Sequence, residues 1–284
     1  MQDIFAYNEI AHELRSFFQE KLHYLEIPTH TKLSILSCKN PSTATTFQHG
    51  HTLYPLPQSS QIQLEKALLT NPQLKGVFSL GTSYRHDPHP LPGRHDKLFP
   101  LFEFVGRGQL QDLRKIYSEL LNFLGLPTPH HVSYADRCQR YGKERLTPAN
   151  EADIQRDLGN AVSLEYFTAN ADPFWTIKQQ DYQSYNKLHL ILHGMHTFSG
   201  AEHSCDAQAM RIRFKQFMKG EYAQQLMKQF GAERVEHELE DYLSLRLTPR
   251  FSGSTGLSRL ARALNREEAY LEAAQTPYKQ RQIA

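Results

Sequence analysis

Apolar residues recur with a regular period over most of the chain, and the period separates helices from strands. From Ile4 to about Tyr24 they recur at spacings of three and four, which predicts a long amphipathic helix. Val77 to Phe104 contains two apolar runs around a polar, Pro/Gly-rich loop, which predicts an antiparallel strand pair, and Phe47 to Tyr54 is predicted to be one short strand. Helical patterns also occur over residues 62–69, 110–124, 134–141, 147–158, 163–168, 205–230 and 233–244. The chain is therefore predicted to be an α+β protein.

Composition adds few constraints. The 284 residues are 39% hydrophobic and 22% charged, as in ordinary globular proteins, and one domain over residues 1–284 is expected. A formal net charge of +2, without a long Lys/Arg run, gives no strong signal for nucleic acid. Cys38, Cys138 and Cys205 are odd in number and far apart, which favours a reducing compartment. Without a basic, apolar leader or a membrane-length apolar run, the expected location is cytoplasmic.

The loop between the two central strands carries the most suggestive chemistry. Arg85 ends the first strand, and Arg94 and His95 lie in the Pro/Gly-rich loop that follows. A guanidinium on a strand gives bidentate bonds to phosphate, and a cationic loop can close over the outer phosphates of a nucleotide. A solvated hairpin is the alternative interpretation, because basic exposed loops are common.

The order of residues in this hairpin resembles motif 2 of class II aminoacyl-tRNA synthetases, most closely the aspartyl/asparaginyl branch. The matching pattern is a strand ending in Tyr-Arg-x-acid, a loop with Arg-His, and then Phe before a hydrophobic strand. The resemblance implies an ATP site formed by Arg85, Asp87, Arg94, His95 and Phe99. Arg85 would be catalytic at the α-phosphate, and Phe99 would cover the adenine.

Two further segments resemble the other motifs of the class. The stretch from Pro249 to Leu260, expected to be a Gly/Ser-rich turn that leads into a helix, is similar to motif 3. There Gly256 is implied to let the backbone approach ATP, and Arg259 to hold the γ-phosphate as a second catalytic residue. The N-terminal helix before Pro28 resembles motif 1, which implies a homodimer.

The segment from Leu56 to Gln61 resembles the amino-acid-binding segment of the same branch. It implies that Gln58, Ser59 and Gln61 bind the substrate. The family's Lys and Arg, which contact an acidic or amide side chain, fall on Leu64 and His203. An unpaired buried carboxylate costs several kcal/mol, so aspartate is not expected to be the best substrate, although His203 could carry charge near neutral pH.

The metal positions of the branch also depart from its pattern. The two acids that position ATP and its magnesium fall on His189 and His196, and Glu202 alone is an acid. Because Mg²⁺ prefers oxygen ligands, Mg²⁺ is expected only at an altered site formed by Glu202, His189 and His196. A zinc or iron site is one alternative for the histidines, and a polar pocket is the commoner explanation.

The resemblance implies the class II synthetase fold, an antiparallel sheet flanked by helices, without an anticodon-binding domain. It is similar to free-standing paralogues such as the asparagine synthetase related to asparaginyl-tRNA synthetase. The implied activity is ATP-dependent activation of an amino-acid carboxylate, followed by acyl transfer to an amine, a carrier or tRNA. The alternative is a catalytically weak relative with a regulatory role, favoured by His189, His196, Leu64 and Ser258.

Overall fold

Strands account for the centre of the molecule. The computed structural model describes residues 4–28, 34–87, 90, 96–171 and 173–264. In chain order the strands are β1 (Leu25–Glu26), β2 (Thr46–His49), β3 (Thr52–Pro55), β4 (Gly76–Tyr84), β5 (Leu98–Arg107), β6 (His130–Ser133), β7 (Ala161–Thr168), β8 (Ser184–Leu192), β9 (Met195–His203) and β10 (Arg250–Gly256).

Eight of these strands form one sheet in the order β1-β4-β5-β10-β9-β8-β7-β6, and β2 pairs with β3 in a separate hairpin. The six central strands are antiparallel to their neighbours, whereas β1 and β6 at the edges run parallel to β4 and β7. The predicted antiparallel sheet is thus confirmed for its centre, with two short parallel edges added.

The helices flank this sheet on both sides, as predicted. They are α1 (Ile4–Ser16), α2 (Gln61–Thr70), α3 (Leu110–Phe123), α4 (Tyr134–Arg140), α5 (Pro148–Leu158), α6 (Ala207–Gln216), α7 (Glu221–Phe230), α8 (Ala232–Leu243) and α9 (Leu257–Leu264). A π-helical turn, Phe17–Lys21, extends α1, and short 3-10 turns occur at Ile35–Ser37, Pro41–Thr43, Ala169–Ala171 and Phe217–Gly220. Within the described residues no helix has both the length and the apolar character needed to cross a membrane.

The two faces of the sheet are packed differently. On the back face α1, α3 and α9 cover an aromatic core that includes Phe104, Phe198 and Phe251. Phe17 and Phe18 are fully buried in this core. On the front face α2 covers β4 and β5, while α4 and α5 pack against β7 and β8. Between them the strands carry small side chains, and this is where open space remains.

Three local predictions are wrong. Residues 163–168, predicted to be helical, belong to β7, where pairing with both β6 and β8 overrides the local pattern. The Gly/Ser-rich stretch before α9 is not a turn but the central strand β10, in which Gly253 makes room for the ring of Phe104, since an added Cβ would lie 2.2 Å from it. The single strand predicted over 47–54 is a hairpin that turns at Gly50, where φ is 60°.

Candidate active site

Two adjoining cavities lie on the front face of the sheet. The first, here called the Arg259 cavity, has a volume of about 190 Å³ and is lined by Arg85, Phe99 and Arg259, among others. The second, the Lys39 cavity, has a volume of about 330 Å³ and is lined by Lys39 and Glu103, among others. The Lys39 cavity is at the lower end of the usual range for small-molecule sites, about 300 to 1,000 Å³. A compact ligand therefore suits it best.

The two cavities share a wall. Arg85, Leu101, Ser199 and Ser254 line both of them. A single guanidinium thus borders both spaces, and ligands bound in the two cavities could contact it together. The cavities can therefore act as two compartments of one site.

Strand register explains this wall. Ser254 of β10 lies opposite Glu103 of β5 on one side and Ser199 of β9 on the other, and Ser199 lies opposite His189 of β8. Residues directly opposite in neighbouring strands point to the same face of the sheet. Two small serine side chains therefore lie between the larger Glu103 and His189, and their size leaves space for the cavities.

Arg85 is placed by backbone contacts around the end of β4. Its N–H donates to the carbonyl of Lys97 at 2.8 Å, and the next residue, His86, donates to the carbonyl of Thr43 at 2.9 Å. The guanidinium carbon lies 5.7 Å from the ring centroid of Phe99. Although Arg85 is exposed as a whole residue, desolvation lowers its pKa, and the nearby Glu103 and Asp87 oppose this effect. Arg85 remains a cation, because an arginine pKa stays far above neutral pH.

The Arg259 cavity contains most of the nucleotide-binding residues predicted from the sequence. Phe99 lies close to Gly256, where an added Cβ would approach the phenyl ring to 3.3 Å. The guanidinium of Arg259 donates to the carbonyl of His196 at 3.5 Å. Asp87 also lines the cavity. The other two predicted residues, Arg94 and His95, lie outside the described residues.

Gln58 lines the Lys39 cavity, but its amide is used within the protein. Its Oε1 accepts from the N–H groups of Lys39 and Asn40 at 2.8 and 2.9 Å, and its Nε2 donates to the Asn40 carbonyl and to Thr43 Oγ1, both at 3.0 Å. These four bonds use the full capacity of a glutamine amide. Gln58 therefore fixes the backbone that carries Lys39, rather than offering groups to a ligand.

Ser59 has a similar supporting role for Glu103. Its hydroxyl donates to Glu103 Oε1 at 2.6 Å, and the N–H of Ser60 donates to Oε2 at 2.5 Å. Burial raises the pKa of Glu103, and these hydrogen bonds with the nearby cations Lys39 and Arg85 oppose that rise. Glu103 is thus a buried carboxylate held at the cavity wall. A cationic group of a ligand would complete its environment.

Lys39 places a second cation in the Lys39 cavity. Its Nζ donates to Gln61 Oε1 at 2.5 Å and lies 4.0 Å from the ring centroid of Phe174. Desolvation lowers the lysine pKa to about 8, against the opposing effect of nearby Glu103 and Glu65. The ammonium is therefore largely charged at neutral pH. Leu64 and His203 stand where the sequence analysis expected the loss of two cations, and Lys39 adds a cation to this cavity from another segment.

A buried ionic network lies beneath the Lys39 cavity. Arg250 Nε donates to Glu65 Oε2 at 2.6 Å, and Tyr242 donates to the same oxygen at 2.5 Å. Gln61 Nε2 donates to the other oxygen, Glu65 Oε1, at 2.6 Å. Burial opposes ionisation of Glu65, but its pKa is lowered to about 2 by His203, which is protonated only at the low pH where Glu65 titrates, by the charge of Arg250, and by hydrogen bonds from Gln61 and Tyr242. The network fixes Gln61, which in turn accepts from Lys39.

His203 is part of this network and is neutral. Its Nδ1 lies 3.0 Å from Thr176 Oγ1, and its Nε2 lies 2.8 Å from Ser252 Oγ and 3.3 Å from Gln61 Nε2. Desolvation lowers the histidine pKa to about 4, despite the proximity of Glu65. The expectation that His203 could be charged near neutral pH is therefore wrong. Both ring nitrogens already have partners in the protein, so His203 supports the cavity wall.

The three predicted metal ligands do not converge. The rings of His189 and His196 are stacked on the front face, with centroids 3.9 Å apart and planes at 11°. Glu202 pairs in register with Phe251 of the back-face core. There the Glu202 carboxylate accepts hydrogen bonds from Lys178 Nζ at 2.7 Å, from the Asn186 amide at 2.8 Å and from the N–H of Leu110 at 3.1 Å.

The proposed combination of Glu202 with the two histidines is therefore wrong, because a strand directs alternate side chains to opposite faces. Among the described residues there is no group of three or more His, Cys, Asp or Glu side chains suited to hold a metal ion. A stacked pair of imidazoles does not fit Mg²⁺, which prefers oxygen ligands in octahedral geometry.

Sequence reasoning missed several charged residues of the site. Glu103 gives a signal, since it is the only acid in the apolar run of β5 and lies on the face that Leu101 shares. A weaker signal comes from Glu65, which is a charged residue within an apolar helix, and from Arg250, which is a charged residue next to Phe251. Lys39 gives none, because it lies in a polar loop whose course depends on Gln58.

Comparison with solved structures finds this fold in asparaginyl-tRNA synthetases. The structure is similar to that of the Pyrococcus horikoshii enzyme complexed with asparaginyl-adenylate, with a TM-score of 0.77 and 16% identity over 97% of this chain and 68% of that chain. It is also similar to the Entamoeba histolytica enzyme in complex with asparaginyl-adenylate, with a TM-score of 0.72 and 16% identity over 95% of this chain and 65% of that chain. No protein-family model and no curated protein matches the sequence.

The chain therefore has the fold of a class II synthetase catalytic core of the aspartyl/asparaginyl branch, which confirms the predicted fold. It spans about two thirds of the length of these structures, 68% of one and 65% of the other. At 16% identity the likeness concerns the fold, and the chemistry has to be argued from the residues of this chain.

Proposed function

We propose that the protein activates an amino acid by adenylation, with ATP in the Arg259 cavity and the amino acid in the Lys39 cavity. An oxygen of the amino-acid carboxylate attacks the α-phosphorus, and the bond from that phosphorus to the bridging oxygen of the β-phosphate breaks. Pyrophosphate leaves with the bonding electron pair, and an acyl-adenylate remains. The acyl group then passes to an acceptor such as ammonia, a small amine, a carrier or tRNA, and AMP leaves with the electron pair of the bond between its oxygen and the acyl carbon.

The observation that carries this proposal is the shared position of Arg85. It borders both cavities, so its guanidinium can neutralise the amino-acid carboxylate and the α-phosphate at the point where they react. Stabilisation of this kind needs no covalent participation of the protein. Catalysis then consists of positioning two bound ligands and compensating the charge that develops between them.

The remaining residues take supporting roles in this proposal. Phe99 offers an aromatic face for the adenine ring beside Gly256, whose missing side chain leaves that face accessible. Arg259 holds the outer phosphates, and Glu103 accepts the α-ammonium of the amino acid. Because the histidine pair does not fit Mg²⁺, charge compensation is assigned here to the arginines alone.

The stacked His189 and His196 support one alternative function. Imidazoles at positions where the branch has acids would suit a protein that binds the ligands but reacts slowly, as a regulatory or interaction subunit. The two functions differ in turnover rather than in binding. An assay of the first chemical step therefore separates them.

ATP–pyrophosphate exchange, screened with all proteinogenic amino acids, is that assay. We expect exchange with at least one amino acid, and its loss in Arg85→Ala. Arg211→Ala is the matched control, since Arg211 pairs with Glu240 on the exposed surface. Binding of ATP and an amino acid without exchange for any of them would favour the regulatory function.

We also infer that the protein forms a homodimer through α1 and the sheet edge at β1. Ile4 and Phe5 at the start of α1 are exposed by 69% and 80%, and Leu25 in β1 by 51%, and large exposed apolar side chains often mark interfaces. Sedimentation velocity at micromolar concentration should show a dimer for the unmodified chain and a monomer for Phe5→Glu. A monomer in both cases would contradict the inference.

A further inference from the structure

Lys39 has an unusual environment for a lysine. It is half-buried in an irregular segment between two 3-10 turns, where Gln58 holds its backbone N–H at 2.8 Å. Its side chain follows the ring of Phe174 to reach the cavity, with Nζ 4.0 Å from the ring centroid. Both constraints reduce the freedom of a side chain that normally pays about 2 kcal/mol of rotamer entropy to be fixed. The ammonium is thus presented at a defined point of the Lys39 cavity.

Glu103 and Glu65 are the carboxylates whose charges act on this ammonium, and both are already held by other donors. Glu103 accepts from Ser59 and Ser60, and Glu65 accepts from Arg250, Tyr242 and Gln61. Among the residues that the structure describes, Lys39 Nζ hydrogen-bonds an uncharged amide oxygen, that of Gln61. An ammonium has three N–H donors. It therefore has capacity for a further acceptor from a ligand.

The cavity wall offers a separate charged group for each of the three ends of an amino acid: the α-carboxylate, the α-ammonium and the side chain. Under the proposed function Arg85 takes the α-carboxylate and Glu103 takes the α-ammonium, which leaves Lys39 to face the side chain. Gln61 and His203 do not compete for this role, because both have partners within the protein. Phe174, Ile177 and Phe217 form apolar parts of the wall. Lys187 also lines the cavity, but its Nζ lies 4.7 Å from the ring centroid of Phe167 on β7.

We propose that Lys39 is the specificity-determining residue of the Lys39 cavity and selects an amino acid whose side chain ends in a carboxylate. This inference rests on the proposed function for the orientation of the substrate. Desolvation of the half-buried ammonium is costly, and a charged hydrogen bond to a ligand carboxylate would offset that cost. A neutral side chain would leave the ammonium with only its amide contact.

Gln58 follows as the positioning residue of this arrangement. It touches no part of the expected ligand, but its amide fixes Lys39 and Asn40 at once. Replacing Gln58 with Leu should therefore weaken binding of the acid and spare binding of its amide. A purely structural role would weaken both equally.

Calorimetry with acid and amide pairs tests the proposal without requiring turnover. The probes are L-aspartate against L-asparagine and L-glutamate against L-glutamine, each titrated into the unmodified chain, Lys39→Met and Lys178→Met. We expect the unmodified chain to bind one acid at least tenfold more tightly than its amide. Lys39→Met should bring that ratio to within threefold of one. Lys178→Met should keep it, because Lys178 bonds Glu202 on the back face.

The ratio of acid affinity to amide affinity can also be measured as a function of pH, and this measurement decides the question if Lys39→Met fails to fold. In the unmodified chain the preference for the acid should decline above about pH 8, where Lys39 loses its proton. Lys39→Arg should retain the preference to higher pH, since arginine stays charged. A preference for the amide in the unmodified chain, or a ratio that neither Lys39→Met nor pH alters, would overturn the proposal.

Pyrophosphate exchange distinguishes a failure here from a failure of the proposed function. An acid preference that depends on Lys39, with no exchange for any amino acid, would contradict adenylation and leave the specificity assignment intact. Exchange led by a neutral amino acid would support adenylation and overturn the role of Lys39.

Discussion

The two cavities are built in contrasting ways. In the Lys39 cavity the polar side chains form a hydrogen-bonded network, in which Gln58, Ser59 and Gln61 hold two charged groups of the wall, Lys39 and Glu103. In the Arg259 cavity the main groups are placed by strand ends and the start of α9, with contacts to backbone carbonyls. One cavity is organised by side-chain hydrogen bonds, and the other by the course of the backbone.

The contrast suggests different tasks. A network of fixed charges suits discrimination among small molecules that differ by one group, because each unmatched charge is costly. Cations at strand ends suit a polyphosphate, whose many equivalent oxygens tolerate some variation in position. Changes to the network should therefore affect stability and selectivity, whereas changes at the strand ends should affect nucleotide affinity.

The largest effect is expected when the buried network loses its arginine. Arg250→Met leaves Glu65 as an unpaired buried carboxylate, which should lower the free energy of unfolding by about 3–5 kcal/mol. Urea denaturation followed by circular dichroism measures this. Arg211→Met, at an exposed pair, should have a far smaller effect. The double variant Arg250→Met/Glu65→Gln should recover part of the loss, and equal effects of the two single arginine variants would contradict the network.

The network should also make stability depend on pH through His203. The folded protein keeps His203 neutral with a pKa of about 4, below its ordinary value of 6.5. As pH falls below 6.5 the unfolded chain therefore binds a proton that the folded protein does not, so this contribution destabilises the fold towards pH 4. Between pH 7.5 and 4.5 it should amount to about 2–3 kcal/mol.

Denaturation curves of the unmodified protein and of His203→Gln over that pH range separate the contribution of His203 from the contributions of the other histidines. The stability difference between the two proteins should shrink or reverse as pH falls. A difference that stays constant from pH 7.5 to 4.5 would show that His203 is not buried as a neutral ring.

Arg85 joins the two cavities, so its loss should affect both ligands. Arg85→Ala removes one charge-assisted contact, worth about 1.5–3 kcal/mol, or roughly 10- to 100-fold in affinity. Calorimetry with ATP and with the preferred amino acid should show a loss for each. Unchanged ATP affinity would refute the assignment of the nucleotide to this place.

In contrast to Arg85, a change at Glu103 should affect the affinity for the amino acid and leave the affinity for ATP unchanged. Glu103→Gln preserves the shape of the side chain and removes the charge that would accept the α-ammonium. Affinity for the amino acid should fall about tenfold, the lower part of the range for a charged hydrogen bond, while affinity for ATP stays within about twofold. Equal losses for both ligands would mean that the two compartments are not distinct.

The same contrast explains what the sequence could predict. Helices and antiparallel strands follow from local periodicity. Arg85, Phe99, Gly256 and Arg259 could be singled out because they lie in short motifs at a strand end or helix start, and all four line the Arg259 cavity. The strand β7 was not predictable in this way, since its eight residues take their conformation from pairing with β6 and β8.

The Lys39 cavity was predictable only in part. The segment containing Gln58, Ser59 and Gln61, predicted to bind the substrate, lines a cavity, but the groups it supports were not foreseen. Lys39 is fixed by a glutamine 19 residues later, and Glu65 by an arginine 185 residues later. Contacts of this range leave no pattern in the local sequence.

The central claim is that the two cavities are the halves of one site that meet at Arg85. An acyl-sulfamoyl adenosine, in which a sulfamate replaces the phosphoryl group of an adenylate, would occupy both at once. Its dissociation constant, measured by calorimetry with the preferred amino acid as the acyl group, is the most direct test. The account predicts binding at least 100-fold tighter than that of adenosine monophosphate or the amino acid alone, because one molecule gains both sets of contacts. Binding no tighter than that of the better fragment would contradict it.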